Sequence, residues 1–308
     1  MSIALLFNQK HTKEWEIKLR DLLPKTKIEV YPNIENTEDV EFLITWKPHE
    51  NYVNEFPNLK VVQSVGAGID HLLHTPLDSK IKIARIVDEN LKHDMFEHVL
   101  TCILASMKNF PFYQIDKGNK IWEPKSYKSI NKTVITILGL GEIGKFVAEK
   151  LYHLGFIVNG WSNSAKDLDN ISSFYGENQF YKSVESADFI INLLPLTPVT
   201  ENILNASFFN SCKPNSVLIN VGRGRHLNEI DLLNALEMHQ IKAAYLDVFT
   251  EEPLNENHPF WTNNKVFITP HVASLTNVNS AIHQIIDNYV KFKQGEKLNH
   301  SVDLKRGY

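Results

Sequence analysis

Short apolar runs with strand character alternate along the chain with longer segments of helical periodicity. In the first part of the chain, residues 3–7, 28–31, 42–46, 61–65 and 81–86 form such runs and predict strands. Segments with helical spacing and Pro, Asn or Gly punctuation separate them. This alternation is typical of βαβ units, so it predicts a mostly parallel sheet.

A second alternating series follows a helical segment at residues 95–107. Its strand candidates are residues 133–138, 156–161, 188–193, 217–221, 243–246 and 266–268. These runs are apolar on both faces, as expected of parallel strands that helices cover on both sides. The helical pattern of residues 275–293 comes after this series and is expected to return to the first domain. With 308 residues, the chain is long enough for two such α/β domains.

Composition and charge narrow the classes of partner. Lysine plus arginine number 32 and aspartate plus glutamate 36, so the formal net charge of -4 disfavours a nucleic-acid partner. The two cysteines, Cys102 and Cys212, are too few for a disulfide framework and are expected to be reduced. The N-terminus lacks the basic region of a signal peptide, and no apolar stretch is long enough to span a bilayer. The sequence therefore predicts a cytoplasmic protein without a membrane partner.

A glycine-rich turn links the strand predicted at residues 133–138 to the helix that follows it. It reads Gly139-Leu140-Gly141-Glu142-Ile143-Gly144, the G-x-G-x-x-G pattern of dinucleotide-binding folds. Gly139 permits a tight turn, Gly141 lets the backbone approach a pyrophosphate, and Gly144 lets the helix lie close to the strand. Glu142 and Ile143 begin the helix, whose N-terminal N–H groups attract phosphate. The turn predicts a dinucleotide cofactor, and a glycine turn without a ligand is the alternative.

The end of the next strand indicates which dinucleotide binds. An acidic residue there would hold the ribose hydroxyl groups and repel a 2′-phosphate, but no acid stands at that position. Ser162, Asn163 and Ser164 offer hydrogen bonds to a phosphate, and Lys166 adds positive charge. We therefore expect NADP(H) as the preferred cofactor. NAD(H) stays open because Asp167 follows and no arginine stands among these residues, which also suit a plain turn.

Three charged residues follow predicted strands of the second series: Arg223, Glu252 and His271. In open parallel sheets the ligand crevice lies beyond the carboxyl ends of the strands, so these side chains are expected to face one region. The planar fork of Arg223 suits a substrate carboxylate and the carbonyl beside it. His271 suits proton donation, and a neighbouring Glu252 would favour and orient the imidazolium. Together they predict the reduction of a ketone, although each residue alone also has an ordinary structural explanation.

Several motifs in series carry a resemblance to a known family. They are the glycine turn, Asn220-Val221-Gly222-Arg223-Gly224, Leu246-Asp247-Val248-Phe249 followed by Glu252-Pro253-Leu254, and Thr269-Pro270-His271. Their order and spacing resemble the D-isomer-specific 2-hydroxyacid dehydrogenase family over nearly the whole chain. The motifs that resemble its glyoxylate/hydroxypyruvate reductase A-type branch are Leu193-Leu194-Pro195-Leu196-Thr197-Pro198, His258-Pro259-Phe260-Trp261 and the closing Lys305-Arg306-Gly307-Tyr308.

This resemblance implies an α/β fold of two doubly wound parallel-sheet, Rossmann-like domains. Residues 1–97 and 275–308 would form a substrate-binding catalytic domain, split by a dinucleotide-binding Rossmann domain at residues 98–274. The resemblance also implies a homodimer that reduces glyoxylate to glycolate and hydroxypyruvate to D-glycerate, preferably with NADPH. That branch often has an arginine at the position of Asn163, and the asparagine weakens the expected grip on the 2′-phosphate.

Binding roles for further residues follow from the same resemblance. The residues that would line the cofactor site are Leu194, Pro195, Val221, Gly222 and Asp247. Those of the substrate site would be Val65, Gly66, Ala67 and Gly68, a loop whose backbone N–H groups hold the carboxylate, and Trp46 in the pocket wall. A simple strand-to-helix turn and a core tryptophan are the structural alternatives. No metal is expected, since no residues with metal-ligand spacing are evident.

Two other functions remain open from the sequence. A D-lactate type or other D-2-hydroxyacid dehydrogenase that uses NADH would share these motifs, because the pocket walls decide substrate choice. A nucleotide-sensing binding protein, similar to the C-terminal-binding-protein corepressors, would bind the cofactor with little turnover. Turnover at an ordinary enzymatic rate separates an enzyme from such a sensor.

Overall fold

The chain divides into two compact units, each built around its own parallel sheet. The computed structural model describes residues 2–7, 12–72 and 78–302, so the closing Lys305-Arg306-Gly307-Tyr308 motif lies outside the described residues. One unit comprises Met1–Asn90 and Thr276–Tyr308, and the other comprises Leu91–Leu275. The chain first passes from one unit to the other before residue 97, because the helix at Glu89–Met107 packs its apolar side chains into the core of the second unit.

Within its described residues, the first unit forms a sheet of five parallel strands, in line with the mostly parallel sheet that the sequence predicts. The strands are β1 (Ser2–Phe7), β2 (Ile28–Val30), β3 (Val40–Trp46), β4 (Val61–Ser64) and β5 (Lys82–Ala84). Their order is β2-β1-β3-β4-β5, which is common among doubly wound sheets. This unit also contains the first helix, α1 (Thr12–Leu22), and the last helix, α7 (Val278–Gln294). The last helix returns to this sheet as expected, and the ring centroids of Phe42 and Tyr289 lie 5.4 Å apart between them.

The second unit is a sheet of seven parallel strands. They are β6 (Val134–Leu138), β7 (Ile157–Ser162), β8 (Ser172–Tyr175), β9 (Phe189–Asn192), β10 (Ser216–Asn220), β11 (Ile241–Leu246) and β12 (Val266–Ile268). Their order, β12-β11-β10-β9-β6-β7-β8, is that of a Rossmann-like sheet with one added edge strand. The expected fold class is confirmed. The order reverses between β6 and β9, where ligands bind in such sheets.

Helices cover both faces of the seven-stranded sheet. They are α2 (Glu89–Met107), α3 (Phe110–Gly118), α4 (Glu142–His153), α5 (Ala206–Ser211) and α6 (Glu229–Glu237). Val147 of α4 and Leu232 of α6 belong to different apolar clusters, and the adjacent β9 residues Ile190 and Ile191 enter one cluster each. The strands are therefore apolar on both faces because both faces are buried. Within the described ranges, no helix has the length and apolar character needed to cross a membrane.

Candidate active site

The glycine turn between β6 and α4 is tightly constrained at two of its three glycines. Gly139 has a φ of 104°, and a Cβ atom there would lie 2.8 Å from the carbonyl carbon of Leu193, so only glycine fits. At Gly144 a Cβ would come within 1.8 Å of the Gly139 carbonyl oxygen, which shows how closely α4 approaches the turn. The packing of the protein itself therefore requires these two glycines.

Gly141 differs, because a Cβ on this residue would meet no protein atom within 4 Å. Its φ of -76° and ψ of -168° are accessible to any residue, so neither strain nor packing requires glycine. Gly141 is the N-cap residue of α4 and has no side chain with which to cap the helix start at Glu142 and Ile143. Open space beside an uncapped helix N-terminus fits the pyrophosphate of a dinucleotide.

The polar residues of the turn after β7, the predicted 2′-phosphate site, differ in their burial and hydrogen bonding. The hydroxyl of Ser162 is buried and donates a hydrogen bond of 2.8 Å to the carbonyl oxygen of Ser164, so it shapes the turn. Asn163 and Ser164 are exposed, and Lys166 is half-buried. The Ser162 hydroxyl proton is thus engaged within the turn, whereas Asn163, Ser164 and Lys166 are more accessible; the expected roles of all four at a 2′-phosphate stay predictions.

The loops after β9 and β10 carry most of the other residues expected at the cofactor. Leu194 and Val221 are buried, and Pro195 is half-buried. The Val221 N–H donates to the carbonyl oxygen of Asn192 at 3.2 Å, which joins the two loops. A Cβ on Gly222 would lie 2.9 Å from Asn192 Nδ2, so this glycine serves the close packing between the loops.

Arg223 lies in the turn that follows β10, and the turn is fixed by hydrogen bonds and packing. Its backbone N–H donates to His226 Nδ1 at 3.1 Å, and its Nη1 donates to the carbonyl oxygen of Gly222 at 2.7 Å. A Cβ on Gly224 would lie 1.9 Å from the carbonyl carbon of Phe249. The arginine turn therefore packs directly against the start of the segment that carries the predicted catalytic glutamate.

Glu252 and His271 form a hydrogen-bonded pair. His271 Nδ1 lies 2.8 Å from Glu252 Oε2 and 3.1 Å from Oε1. The Phe249 N–H donates to Glu252 Oε1 at 3.2 Å and helps to orient the carboxylate. The imidazole side chain is 34% exposed, and no hydrogen bond joins its Nε2 to a residue that the structure describes. A histidine whose Nδ1–H donates to a carboxylate can transfer a proton through Nε2.

The carboxylate of Asp247 anchors the loop that carries His271. It accepts hydrogen bonds from the Thr269 hydroxyl at 2.6 Å and from the Val272 and Ala273 N–H groups, each at 2.9 Å. The Asp247 carbonyl oxygen also accepts from the His271 N–H at 2.8 Å. Asp247 is 2% exposed, so its side chain serves this loop within the protein. Its expected role at the cofactor stays a prediction.

Sequence reasoning missed three fully buried polar residues beneath these loops: Asn192, Asn220 and His226. They hydrogen-bond to one another and to the loop backbone. The two asparagines end the apolar runs of β9 and β10, so a polar residue at the end of a buried strand was the available signal. Across the part of the chain that the structure describes, no His, Cys, Asp and Glu side chains form a cluster that could hold a metal ion.

The loop at residues 65–68 in the first unit is held by its own polar contacts. The Ser64 hydroxyl lies 3.2 Å from both the N–H and the carbonyl oxygen of Gly66, and Arg85 Nη1 donates to the Ala67 carbonyl oxygen at 3.2 Å. A Cβ on Gly66 would lie 2.3 Å from the ring of Trp46, so the indole packs on the loop backbone. Among the described residues, the N–H groups of Ala67 and Gly68 donate to no backbone acceptor. The roles of Val65, this loop and Trp46 in substrate binding stay predictions.

The comparison with known families bears directly on these motifs. Residues 100–273, more than half of the chain, match the profile described as D-isomer specific 2-hydroxyacid dehydrogenase, NAD binding domain. The chain belongs to this family. The resemblance inferred from the motifs is thereby confirmed, and the matched residues of this dehydrogenase lie within the second unit.

Relatives of this D-2-hydroxyacid dehydrogenase match it over nearly its whole length. The glyoxylate/hydroxypyruvate reductase A of Yersinia enterocolitica is 35% identical over 302 residues, with 96% of each chain covered. The glyoxylate/hydroxypyruvate reductase A of Serratia proteamaculans is 36% identical over 305 residues, with 97% of each chain covered.

Solved structures of similar proteins share the fold of this dehydrogenase. A D-isomer specific 2-hydroxyacid dehydrogenase from Xanthobacter autotrophicus Py2, in complex with NADPH and MES, has a TM-score of 0.94 and 29% identity, covering 100% of this chain and 99% of the other. The NADPH-dependent glyoxylate/hydroxypyruvate reductase of Sinorhizobium meliloti, in complex with NADP and sulfate, has a TM-score of 0.92 and 30% identity, with 100% of each chain covered.

Proposed function

We propose that this dehydrogenase reduces small 2-keto acids, glyoxylate to glycolate and hydroxypyruvate to D-glycerate, with NADPH as the reductant. The observation that carries the proposal is the hydrogen bond of 2.8 Å between Glu252 Oε2 and His271 Nδ1, which prepares the imidazole to donate a proton. The relatives from Yersinia enterocolitica and Serratia proteamaculans bear the name of this activity, which supports the choice of substrates.

Arg223 binds the substrate carboxylate and polarises the carbonyl that is reduced. A guanidinium has five N–H donors in a planar fork, a geometry that matches a carboxylate. The bond of 2.7 Å from Arg223 Nη1 to the Gly222 carbonyl oxygen fixes one edge of that group. Charge that develops on the substrate oxygen is stabilised by a donor that is already oriented.

His271 completes the reaction by donating the Nε2 proton to the carbonyl oxygen. The carboxylate of Glu252 accepts from Nδ1 and orients the ring for the transfer. A bound nicotinamide cofactor supplies the hydride that becomes attached to the carbonyl carbon. One hydride and one proton added to the keto acid give the 2-hydroxy acid, so atoms and charge balance.

The preference for NADPH rests on the turn after β7. No acidic residue stands directly at the end of β7, and Asn163, Ser164 and Lys166 offer donors and positive charge. The similar structures from Xanthobacter autotrophicus and Sinorhizobium meliloti contain NADPH or NADP, which supports the same preference here. NADH is expected to serve less well.

The test of this function is the loss of nicotinamide absorbance with purified protein. The oxidation rates of NADPH and of NADH are each measured with glyoxylate, hydroxypyruvate and pyruvate as the hydride acceptor. We expect rapid oxidation of NADPH with glyoxylate and hydroxypyruvate and slower oxidation with pyruvate. A clear preference for NADH contradicts the cofactor proposal, and tight cofactor binding without turnover contradicts the enzymatic one.

The protein is further proposed to be a cytoplasmic homodimer. Large apolar side chains are exposed along one stretch of the second unit, with Phe110 63%, Trp122 100% and Tyr127 64% accessible. Exposed apolar groups in such a stretch favour a protein interface, and a second copy of the chain is the proposed partner. Cys102 and Cys212 are both free and buried, as suits a reducing compartment.

A further inference from the structure

Three fully buried polar side chains, Asn192, Asn220 and His226, lie beneath the loops after β9 and β10. We infer that His226 is a positioning residue whose two ring nitrogens hold two separate parts of the site. One is the loop after β9, which contains Pro195, and the other is the turn after β10, which carries Arg223. The inference rests on the proposed function, because it assigns those two parts to the cofactor and the substrate. His226 itself acts only through the backbone groups that it holds.

Fixed neighbours determine the tautomer of the His226 ring. On one side, Nδ1 faces the backbone N–H of Arg223 at 3.1 Å and the Asn192 Nδ2 at 2.9 Å. The Leu194 N–H donates to Asn192 Oδ1 at 3.3 Å, so the amide is oriented with its nitrogen toward the imidazole. Both groups that face Nδ1 are therefore donors, and Nδ1 must be an unprotonated acceptor.

The other ring nitrogen faces an acceptor. His226 Nε2 lies 3.2 Å from the carbonyl oxygen of Pro195, which cannot donate, so Nε2 must carry the hydrogen. The Thr200 hydroxyl donates to the same carbonyl oxygen at 2.7 Å. The ring is consequently neutral with its proton on Nε2, and it is fixed at both ends by backbone atoms of different loops.

Asn220 completes the support of the arginine turn. Its Oδ1 accepts from Asn192 Nδ2 at 2.9 Å and from the Gly222 N–H at 3.3 Å, and its Nδ2 donates to the Arg223 carbonyl oxygen at 3.3 Å. The N–H and the carbonyl group of Arg223 are thus both held by buried side chains. Burial strengthens these hydrogen bonds and raises the free-energy cost of losing them. The direction in which the Arg223 side chain points from the turn therefore depends on His226 and Asn220.

Two conservative variants of His226 test the hydrogen bonds of the two ring nitrogens one at a time. In His226→Asn, the amide oxygen stands near the former Nδ1 and still accepts from Arg223, but nothing reaches Pro195. In His226→Gln, the amide nitrogen stands near the former Nε2 and still donates to Pro195, but the Arg223 N–H loses its acceptor. A lost buried hydrogen bond is expected to change the affected binding step about tenfold.

The measured quantities are the Kd of NADPH by fluorescence and kcat/KM for glyoxylate. We expect His226→Asn to raise the Kd of NADPH about tenfold and to leave glyoxylate kcat/KM, measured at saturating NADPH, within about twofold. We expect His226→Gln to lower kcat/KM for glyoxylate about tenfold and to leave the Kd of NADPH within about twofold. Thr136→Val is the matched control, because Thr136 is fully buried in β6 and its hydroxyl donates to the Ser183 carbonyl oxygen at 2.7 Å, a bond that involves neither loop.

Two results would overturn the inference. One is that both histidine variants behave like Thr136→Val, with a lower Tm and unchanged kinetics and affinity. The other is that both variants change the two quantities in the same proportion. Long-range proton–nitrogen NMR of the wild-type imidazoles gives an independent test, in which an Nδ1–H tautomer or a charged His226 ring contradicts the inference. Wild-type turnover tests the proposed function separately, so the two failures are distinguishable.

Discussion

His271 has a φ of 55°, in the left-handed region that residues other than glycine adopt only when their surroundings hold them. The surroundings here are the carbonyl oxygen of Asp247 and the loop that its carboxylate anchors. The position of the imidazole beside Glu252 is therefore set by a buried aspartate. The acid–base pair that performs the proposed chemistry is held in place before any substrate binds.

In the turn after β6, the same glycine-to-alanine substitution is expected to have different effects at Gly144 and at Gly141. Gly144→Ala would put a methyl group 1.8 Å from the Gly139 carbonyl oxygen, so we expect a large loss of stability, with Tm lower by several degrees or no soluble protein. Gly141→Ala meets no protein atom within 4 Å, so we expect the Tm without cofactor to be unchanged. The new methyl group occupies space proposed for the pyrophosphate, and we expect the Kd of NADPH to rise at least about tenfold.

Thermal unfolding without cofactor and fluorescence titration with NADPH measure these two effects. Each variant is the control of the other, because the same methyl group is added at two positions three residues apart in one turn. A Gly141→Ala protein with normal Tm and normal NADPH affinity would contradict the assignment of this turn to the cofactor.

At the scale of elements, Asp188 joins segments that are distant in sequence. Its carboxylate accepts from Lys128 and Lys213, each at 2.6 Å, and from the Val134 N–H at the start of β6 at 2.8 Å. Burial would raise the pKa of Asp188, but the hydrogen bonds from the two lysines and from Val134 outweigh it and lower the pKa. The ionised carboxylate therefore stabilises the arrangement of β6, β9 and the loop before β10.

We predict that Asp188→Asn lowers the Tm by about 2–4 °C at neutral pH, a modest effect because both lysines are partly exposed. The folded pKa is depressed, so the stabilisation is present above the unfolded pKa of about 3.9 and is lost as pH falls through the folded value. The difference in Tm between variant and wild type should shrink below about pH 4. Calorimetry across pH, with the exposed Asp169→Asn as control, measures it. A difference that stays constant down to pH values near 2 would contradict the ionic origin.

The elements differ in how far the sequence could predict them. Strands such as β6 and β9, buried on both faces, gave continuous apolar runs and were predicted. The edge strand β8, Ser172–Tyr175, was missed because it is partly exposed and half polar, so its sequence has no apolar run. The pairing of Glu252 with His271 followed from motifs at strand ends. The role proposed for His226 could not be predicted, because Asn192 and Pro195 are distant in sequence and only the folded sheet brings them beside the turn after β10.

At the scale of the whole molecule, the described residues form two parallel sheets, and the chain matches its relatives over nearly their full length. The exposed apolar stretch that contains Phe110, Trp122 and Tyr127 includes none of the residues assigned to the candidate active site. A surface of this kind is stable in water when another protein covers it. The proposed homodimer provides that cover.

We predict that the wild-type protein has twice the mass of one chain in solution and that Trp122→Asp shifts it toward the monomer. A charge in the interface would have to be desolvated without a partner, which weakens association. Light scattering after size-exclusion chromatography measures the mass. Met238→Asp is the control, because Met238 is 76% exposed and lies outside this stretch. A monomeric wild-type protein, or a dimer that Trp122→Asp leaves intact at low concentration, would contradict this interface.

The measurement that tests the central claim most directly is the rate of NADPH oxidation by glyoxylate in His271→Asn, with NADPH affinity determined on the same sample. Removal of the proton donor is predicted to lower kcat by at least about 100-fold, because general acid catalysis contributes about that much or more. The Kd of NADPH is predicted to stay within about twofold of the wild-type value, since the glycine turn and the loop after β7 are unchanged. A kcat within a few-fold of wild type would contradict the assignment of His271 as the acid, and with it the mechanism proposed for this dehydrogenase.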